Sequence, residues 1–316
     1  MKKTAIFLFV LSTLLTSAWA QAPRQNYRQF FFNPYLYNSA FAGLSGNKEL
    51  NVVYKKQLMG FKDAPASVGA NLQLPTSGKV VLAFNFTSNT EALLRNTSMT
   101  GTFGYVVPID KNQSLRFGLT GGIGLKRLNL TAEELNTGDP AMINAASANY
   151  YADGRFGVAY TNAGLRIGVA LTELFQSDPF ADEFNKFSIA NLQNRTYSAS
   201  YRFRLDQFER FAVEPYVIYH QAADKTYNAW EAAALAHFHN KVWTGVSYHQ
   251  QKGAALFFGL DVMEKLRFSY SYEFPPFRSD VSTFSSHELQ LTIRLGKNND
   301  AAKPAYPSRS MSRFRK

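Results

Sequence analysis

The 316 residues include no cysteine. Disulfides, a lipid anchor on cysteine and thiolate chemistry are thereby excluded. After residue 20 the chain also lacks any run approaching the ~20 apolar residues that a membrane-spanning helix requires, which excludes a helical membrane protein. Glycine-rich phosphate loops are missing too, since Gly121, Gly122 and Gly124 fall inside an alternating segment and read as small residues of a strand wall. Charged residues make up only 18%, and the mean hydropathy of −0.23 by itself looks like that of a soluble chain. What the chain has in quantity is aromatic rings: 27 Phe, 17 Tyr and 3 Trp. A transmembrane β-barrel hides its lipid face in an alternation that hydropathy averaging erases, so the composition sends the search to period-two segments.

Residues 1–20 carry Lys2 and Lys3, an apolar run from Ala5 to Leu15, and small residues flanking Trp19. This reads as a cleaved secretory signal, with the mature chain beginning at Gln21. The next segment, residues 21–49, contains "FFFNPYLYNSAFAG" at 30–43. It has neither a helical stripe nor clean alternation, and Pro34 interrupts it. Asn33-Pro34 favours a turn and Gly43 a left-handed exit. Lying before the first strand, it is expected at the periplasmic mouth, as a plug folded into the lumen or as an interfacial segment.

From 50 to 296 the alternation is pervasive. Leu115, Phe117, Leu119, Gly121, Ile123 and Leu125 share one face, with Arg116, Gly118, Thr120, Gly122, Gly124 and Lys126 on the other. About fourteen such segments occur, near 50–58, 66–74, 79–88, 97–107, 114–129, 150–161, 164–175, 195–206, 211–221, 228–238, 242–250, 254–262, 265–274 and 286–296. Short connections at 75–78, 108–113, 162–163, 206–210, 239–241 and 263–264 alternate with mostly longer ones at 59–65, 89–96, 130–149, 176–194, 222–227 and 275–285. That asymmetry predicts an all-β antiparallel outer-membrane barrel with short periplasmic turns and both chain ends in the periplasm. A soluble sandwich would also alternate but would not alternate its loop lengths. Tyr54, Tyr105, Tyr160, Phe175, Tyr219 and Phe274 fall at strand ends, where interfacial girdles form.

An arginine facing mid-bilayer lipid costs about 2–4 kcal/mol. Arg116, Arg166, Arg202, Arg204, Arg267 and Arg294 are therefore expected to face the lumen, opposite Glu214, Glu231, Glu273 and Glu288. Such charges pair into a closed interior or line an anion path. The formal charge is +11. Two of those charges belong to the signal, and the tail 297–316 carries six Lys or Arg against Asp300, leaving the barrel with about +4. Nucleic-acid binding has little support. The tail reads as a mobile basic segment in the periplasm, able to dock on an acidic partner.

The search for chemistry is negative. His237 and His239 share a strand face without a third metal ligand. "YHQ" occurs at 219–221 and again at 248–250, and reads as polar girdle residues. His287 beside Ser285 and Ser286 lacks an identifiable third member of a triad. Neither an enzyme nor a cofactor is expected.

Three blocks then resemble one family. "FNPYLYNSAFAG" (32–43) resembles the Asn-Pro and Asn-Pro-Ala-Tyr-Ala-Gly signature of the PorP/SprF family of type IX secretion system membrane proteins, at Asn33, Pro34, Asn38, Ala40, Ala42 and Gly43. "VYKKQLMGFKDAP" (53–65) resembles its Tyr-Arg-x-Gln-Trp-x-Gly-Phe-x-Gly-Ala-Pro block, at Tyr54, Gln57, Gly60, Phe61, Ala64 and Pro65. "SSHELQLTIRL" (285–295) resembles its closing Ser-His-Glu strand, at His287 and Glu288. Ser39 stands where the family usually has proline, Leu58 where it has tryptophan and Asp63 where it has glycine. The resemblance implies an outer-membrane barrel of gliding or secreting Bacteroidota, needed to export or anchor cargo with a C-terminal sorting domain, often a large adhesin. It also implies partners among the periplasmic ring or translocon components. A passive channel for a small solute or fatty acid is the alternative, and it predicts an apolar lumenal pocket.

Overall fold

The computed structural model describes residues 27–60, 64–76, 78–91, 94–128, 149–176, 188–189, 192–206, 210–223, 225–239, 241–263, 265–274 and 285–296. The signal at 1–20 and the tail at 297–316 lie outside the described residues. The strands are β1 (Lys48–Lys56), β2 (Ala66–Pro75), β3 (Val80–Glu91), β4 (Leu94–Pro108), β5 (Gln113–Leu128), β6 (Asn149–Asn162), β7 (Leu165–Leu171), β8 (Phe175–Gln176) and β9 (Ser188–Ile189). They continue as β10 (Arg195–Tyr201), β11 (Phe203–Arg204), β12 (Phe211–Gln221), β13 (Ala229–Phe238), β14 (Val242–His249), β15 (Gly253–Met263), β16 (Leu266–Glu273) and β17 (Ser286–Leu295).

Fourteen strands close into one antiparallel barrel. The closure runs through β1 against β17, and through β10, which pairs with both β7 and β12. Strand β11 is the continuation of β10 after the ladder breaks at Arg202, and β8 and β9 form a separate small hairpin. Closure leaves the fourteen-strand sheet no unpaired edge among the described residues, which is the condition for crossing lipid with strands. We call the two rims the loop end, where 57–65, 129–148, 172–194 and 274–285 connect strands, and the turn end, where 76–79, 109–112 and 163–164 do.

The period-two pattern has the polarity of a membrane barrel. In β12, Ala212, Glu214, Tyr216, Ile218 and His220 are buried, while Phe211, Pro215, Val217 and Tyr219 are exposed. Across the barrel the inward positions are rich in buried polar residues such as Asn51, Asn71, Asn85, Thr102 and Thr120, and the outward ones carry exposed Phe84, Met99, Phe103, Leu119 and Ile123. A water-soluble protein would place these two sets the other way round.

Three expected boundaries need correction. The supposed connection at 89–96 is mostly strand, since β3 runs to Glu91 and β4 begins at Leu94, with Asn89 opposite Asn96. Strand β7 stops at Leu171, so Phe175 does not end a barrel strand; it belongs to β8, and its ring covers Gly154 so closely that a Cβ there would lie 2.5 Å from Cδ2. The strand expected at 195–206 is interrupted at Arg202.

Candidate functional site

The first motif block lies inside the barrel, and its local structure follows from its own residues. Two short 3-10 helices, Pro34–Leu36 and Ser39–Phe41, replace the missing helix or strand pattern. Pro34 opens the first, where its fixed φ suits the turn and its absent N–H is not needed. Asn38 caps the second, its Oδ1 accepting from Ala40 N at 2.9 Å. Gly43 takes φ +63° and donates its N–H to Gln73 Oε1 at 2.8 Å. A side chain there would meet Val81 at 2.9 Å, so both the conformation and the space call for glycine.

The wall is notched to receive this block. Asn38 Nδ2 donates to the carbonyls of Val158 on β6 (3.4 Å) and Val169 on β7 (3.3 Å). A Cβ on Gly168 would lie 2.6 Å from that nitrogen, and one on Gly157 or Gly118 would be closer still to Asn38 or the Ser39 backbone. Arg116, buried on β5, donates to the carbonyls of Ala40 at 3.0 Å and Ala42 at 2.7 Å. A hydroxyl chain links Ser39 to Thr120 at 2.8 Å, Thr120 to Thr102 at 2.6 Å and Thr102 to Tyr35 at 2.8 Å. On the other flank Phe31 packs edge-on against Phe257 with centroids 4.7 Å apart, and Phe32 lies 4.7 Å from Trp243. Phe30, Phe31, Tyr37 and Phe41 share one buried cluster with Tyr216, Ile218, Leu235 and Phe257.

The segment reaches further than the mouth where the sequence places it. Gly43 sits beside Val81 and Pro75 at the turn end, but Arg28 is held at the loop end. Its Nη1 is 3.0 Å from Glu231 Oε1, its Nη2 donates to Gly253 O at 2.7 Å, and its Nε lies 3.4 Å from Glu273 Oε1. Glu288 accepts from the backbone N–H of Arg28 at 2.7 Å and of Gln29 at 3.0 Å. Lys55 completes the cluster as the second partner of Glu273. Residues 27–44 therefore descend the lumen from one rim to the other, the buried arginine meeting the carboxylates of Glu231 and Glu273 at the loop end.

The second and third blocks meet on the outside of that same rim. Strand β1 adjoins β17, with Lys55 opposite Glu288 and Lys56 opposite His287. Met59 N donates to Ser285 O at 3.0 Å, and Gln57 N to Pro65 O at 2.9 Å. Leu58 and Gly60 take positive φ values of 47° and 111°, which tightens the corner. Outward-facing His287 shares hydrogen bonds with Tyr270 OH at 2.6 Å and Ser285 Oγ at 3.0 Å. The His-Glu pair thus works by alternation: His287 ties down the outer corner while Glu288 captures the lumenal segment. Tyr54 points outward and is 43% exposed, as a girdle residue does. Phe61 lies outside the described residues.

Ser285, His287 and Tyr270 form a hydroxyl–imidazole–phenol line. A neutral phenol is a poor partner for a developing imidazolium.

The remaining inward charges are paired by neighbourhood. Arg166 is 2.7 Å from Glu214, which also lies 3.3 Å from His237. Arg267 and Arg294 converge on Asp261 at 2.8 and 3.2 Å. Arg202 and Arg204 stand at the turn end, where the charge of Arg202 acts on Glu214 and Arg204 is exposed. His220 shares a hydrogen bond with Thr196 at 3.0 Å, and His249 Nδ1 accepts from Gln251 N at 3.1 Å, so the two "YHQ" copies are local fastenings facing inward. Among the described residues no group of three His, Cys, Asp or Glu can hold a metal. Sequence reasoning missed Arg28, Lys55 and Asp261. Alternation with Asn51 and Val53 would have placed Lys55 inward, but nothing local marks Arg28.

A family model described as type IX secretion system membrane protein PorP/SprF matches residues 20–293. The chain belongs to the PorP/SprF family. A search of curated proteins returns no match. Among solved structures, this PorP/SprF barrel is similar to a TodX monoaromatic hydrocarbon channel mutant, with a TM-score of 0.51, 12% identity, and coverage of 82% of this chain and 92% of that one. The P. putida toluene transporter TodX matches at TM-score 0.47 and 9% identity over 84% and 94% of the chains. The KdgM porin matches at TM-score 0.40 and 6% identity over 78% and 99%. At these identities the first likeness speaks for the barrel fold alone. In this PorP/SprF chain the first block forms the lumenal segment, and the second and third meet at the loop-end corner.

Proposed function

We propose that this PorP/SprF protein is a non-enzymatic outer-membrane barrel of the type IX secretion machinery, with its loop end outside, required for secretion or surface anchoring of specific cargo bearing a C-terminal sorting domain. The observation that carries the reading is the family match across residues 20–293. The lumenal segment is its plug. A lumen occupied by Phe30, Phe31, Tyr37 and Phe41, with a buried ionic lock above them, supports a role other than open diffusion. Ring or translocon components of the secretion system are its periplasmic partners, and the basic tail is one surface on which they dock.

The test is a quantitative comparison of cell-surface and medium proteins with and without the gene. Selective loss of one or a few large proteins with C-terminal sorting domains, other outer-membrane proteins being unchanged, is the expected result. An unaltered surface proteome would overturn the reading in favour of a passive channel.

A further inference from the structure

We propose that the outward face at the loop end of β3–β5 binds the phosphate of an outer-leaflet glycolipid. In the β4–β5 register Arg95 stands directly opposite Arg127, and cross-strand partners share a face of the sheet. The face is the lipid-facing one, because two and four positions further down it come Thr97 with Leu125 and then Met99 with Ile123, the last two 60% and 64% exposed. Like charges placed opposite one another, with Cβ atoms ~5 Å apart, repel. A shared anion reverses the sign of that interaction, and the planar guanidinium fork suits phosphate oxygens.

Two hydroxyls complete the site. Arg95 Nε donates to Ser88 Oγ at 3.3 Å, and Ser88 shares a 3.2 Å hydrogen bond with Thr97. Height decides between acyl chain and headgroup. Tyr105 lies on the same face of β4 about ten positions nearer the turn end. At ~3.3 Å per residue and ~40° tilt this is ~25 Å, the height of the apolar band of such barrels. With Tyr105 at one interface, the arginine pair sits at the other, level with headgroup phosphates. Lys56 and Arg195 occupy outward positions at the loop ends of β1 and β10. Continuity with the lipid-facing belt favours a lipid over a soluble acidic protein.

The assignment rests on the loop end facing outward, as proposed above. The purified full-length protein, its fold checked by heat-modifiable gel mobility, is offered bisphosphorylated lipid A or the same lipid without phosphates, and retained lipid is counted by native mass spectrometry. The phosphorylated form should be preferred. Arg95→Gln and Arg127→Gln should each reduce that preference roughly fivefold, and Lys111→Gln at the turn end should leave it unchanged. Equal retention of the two lipids, a preference that survives R95Q/R127Q, or equal retention of phosphatidylglycerol would each overturn the proposal. Because the readout is binding by purified protein, its failure is distinct from an unaltered surface proteome.

Discussion

Replacing Arg28 by alanine tests the plug most directly. The guanidinium is 2% exposed and engages Glu231, Glu273 and the carbonyl of Gly253. Its removal does not strip every carboxylate. Glu273 keeps Lys55, and Glu288 keeps the two backbone N–H groups of residues 28 and 29. Glu231 keeps Ser247 Oγ, at 3.0 Å, and the nearby charge of Lys252. Breaking a buried pair from one side costs about 3–5 kcal/mol. If that cost falls on docking, it multiplies the undocked population by roughly two to three and a half orders of magnitude, at ~1.4 kcal/mol per decade. Single-channel recording in planar bilayers reads this directly. The wild-type barrel should be closed or nearly so, R28A should show long openings, and a chain lacking residues 27–43 should stay open. Glu231→Gln combined with R28A should recover most of the closure, because removing both partners leaves no uncompensated charge. R28A traces that match wild type, with the fold intact by gel mobility, would refute the reasoning, and so would an unchanged conductance on deleting 27–43.

Glycine substitutions probe the opposite wall. Gly168→Ala and Gly118→Ala should expel Asn38 and Ser39 and raise conductance as R28A does, whereas Gly121→Ala, outward and with nothing within 4 Å, should be silent in the same recordings. Equal behaviour of the three would show that the notches do not hold the segment. The cysteine-free chain also allows single reporters. Tyr27→Cys in the R28A background should react with a membrane-impermeant maleimide on intact cells, while Leu44→Cys at the turn end should react only after the outer membrane is permeabilised; the reverse order would invert the proposed topology.

How much of this was legible in the sequence depends on how many solvents a residue faces. Between Leu115 and Lys126 lipid lies on one side and a polar lumen on the other, so strict alternation betrays both the strand and its inward face. Above the apolar band that contrast is lost. Ser88, Asn89, Asn96 and Thr97 read as a loop because they are polar on both faces, yet they are paired strand, since a barrel wall at headgroup level needs no apolar side. The lumenal segment is harder still. Its turns were legible at Asn33-Pro34 and Gly43, where local chemistry fixes the backbone. Its path was not, because Arg28 has no period and its partner carboxylates lie as far as 260 residues away.

The motif blocks show the same division at finer grain. Read as a string, Ser285-Ser286-His287-Glu288 offers hydroxyls beside an imidazole and suggests catalysis. Folded on a strand, each step of one residue exchanges lumen for lipid. Ser286 and Glu288 turn inward, and His287 turns outward to Tyr270 and Ser285. A one-residue slip in the β1–β17 register would bring His287 to Arg28 and carry Glu288 into the interface with lipid, undoing both fastenings together. The constraint on this block is therefore one of alternation. It ties barrel closure, the loop-end corner and the seating of the lumenal segment to a single register, and a change in any of the three should be felt in the other two.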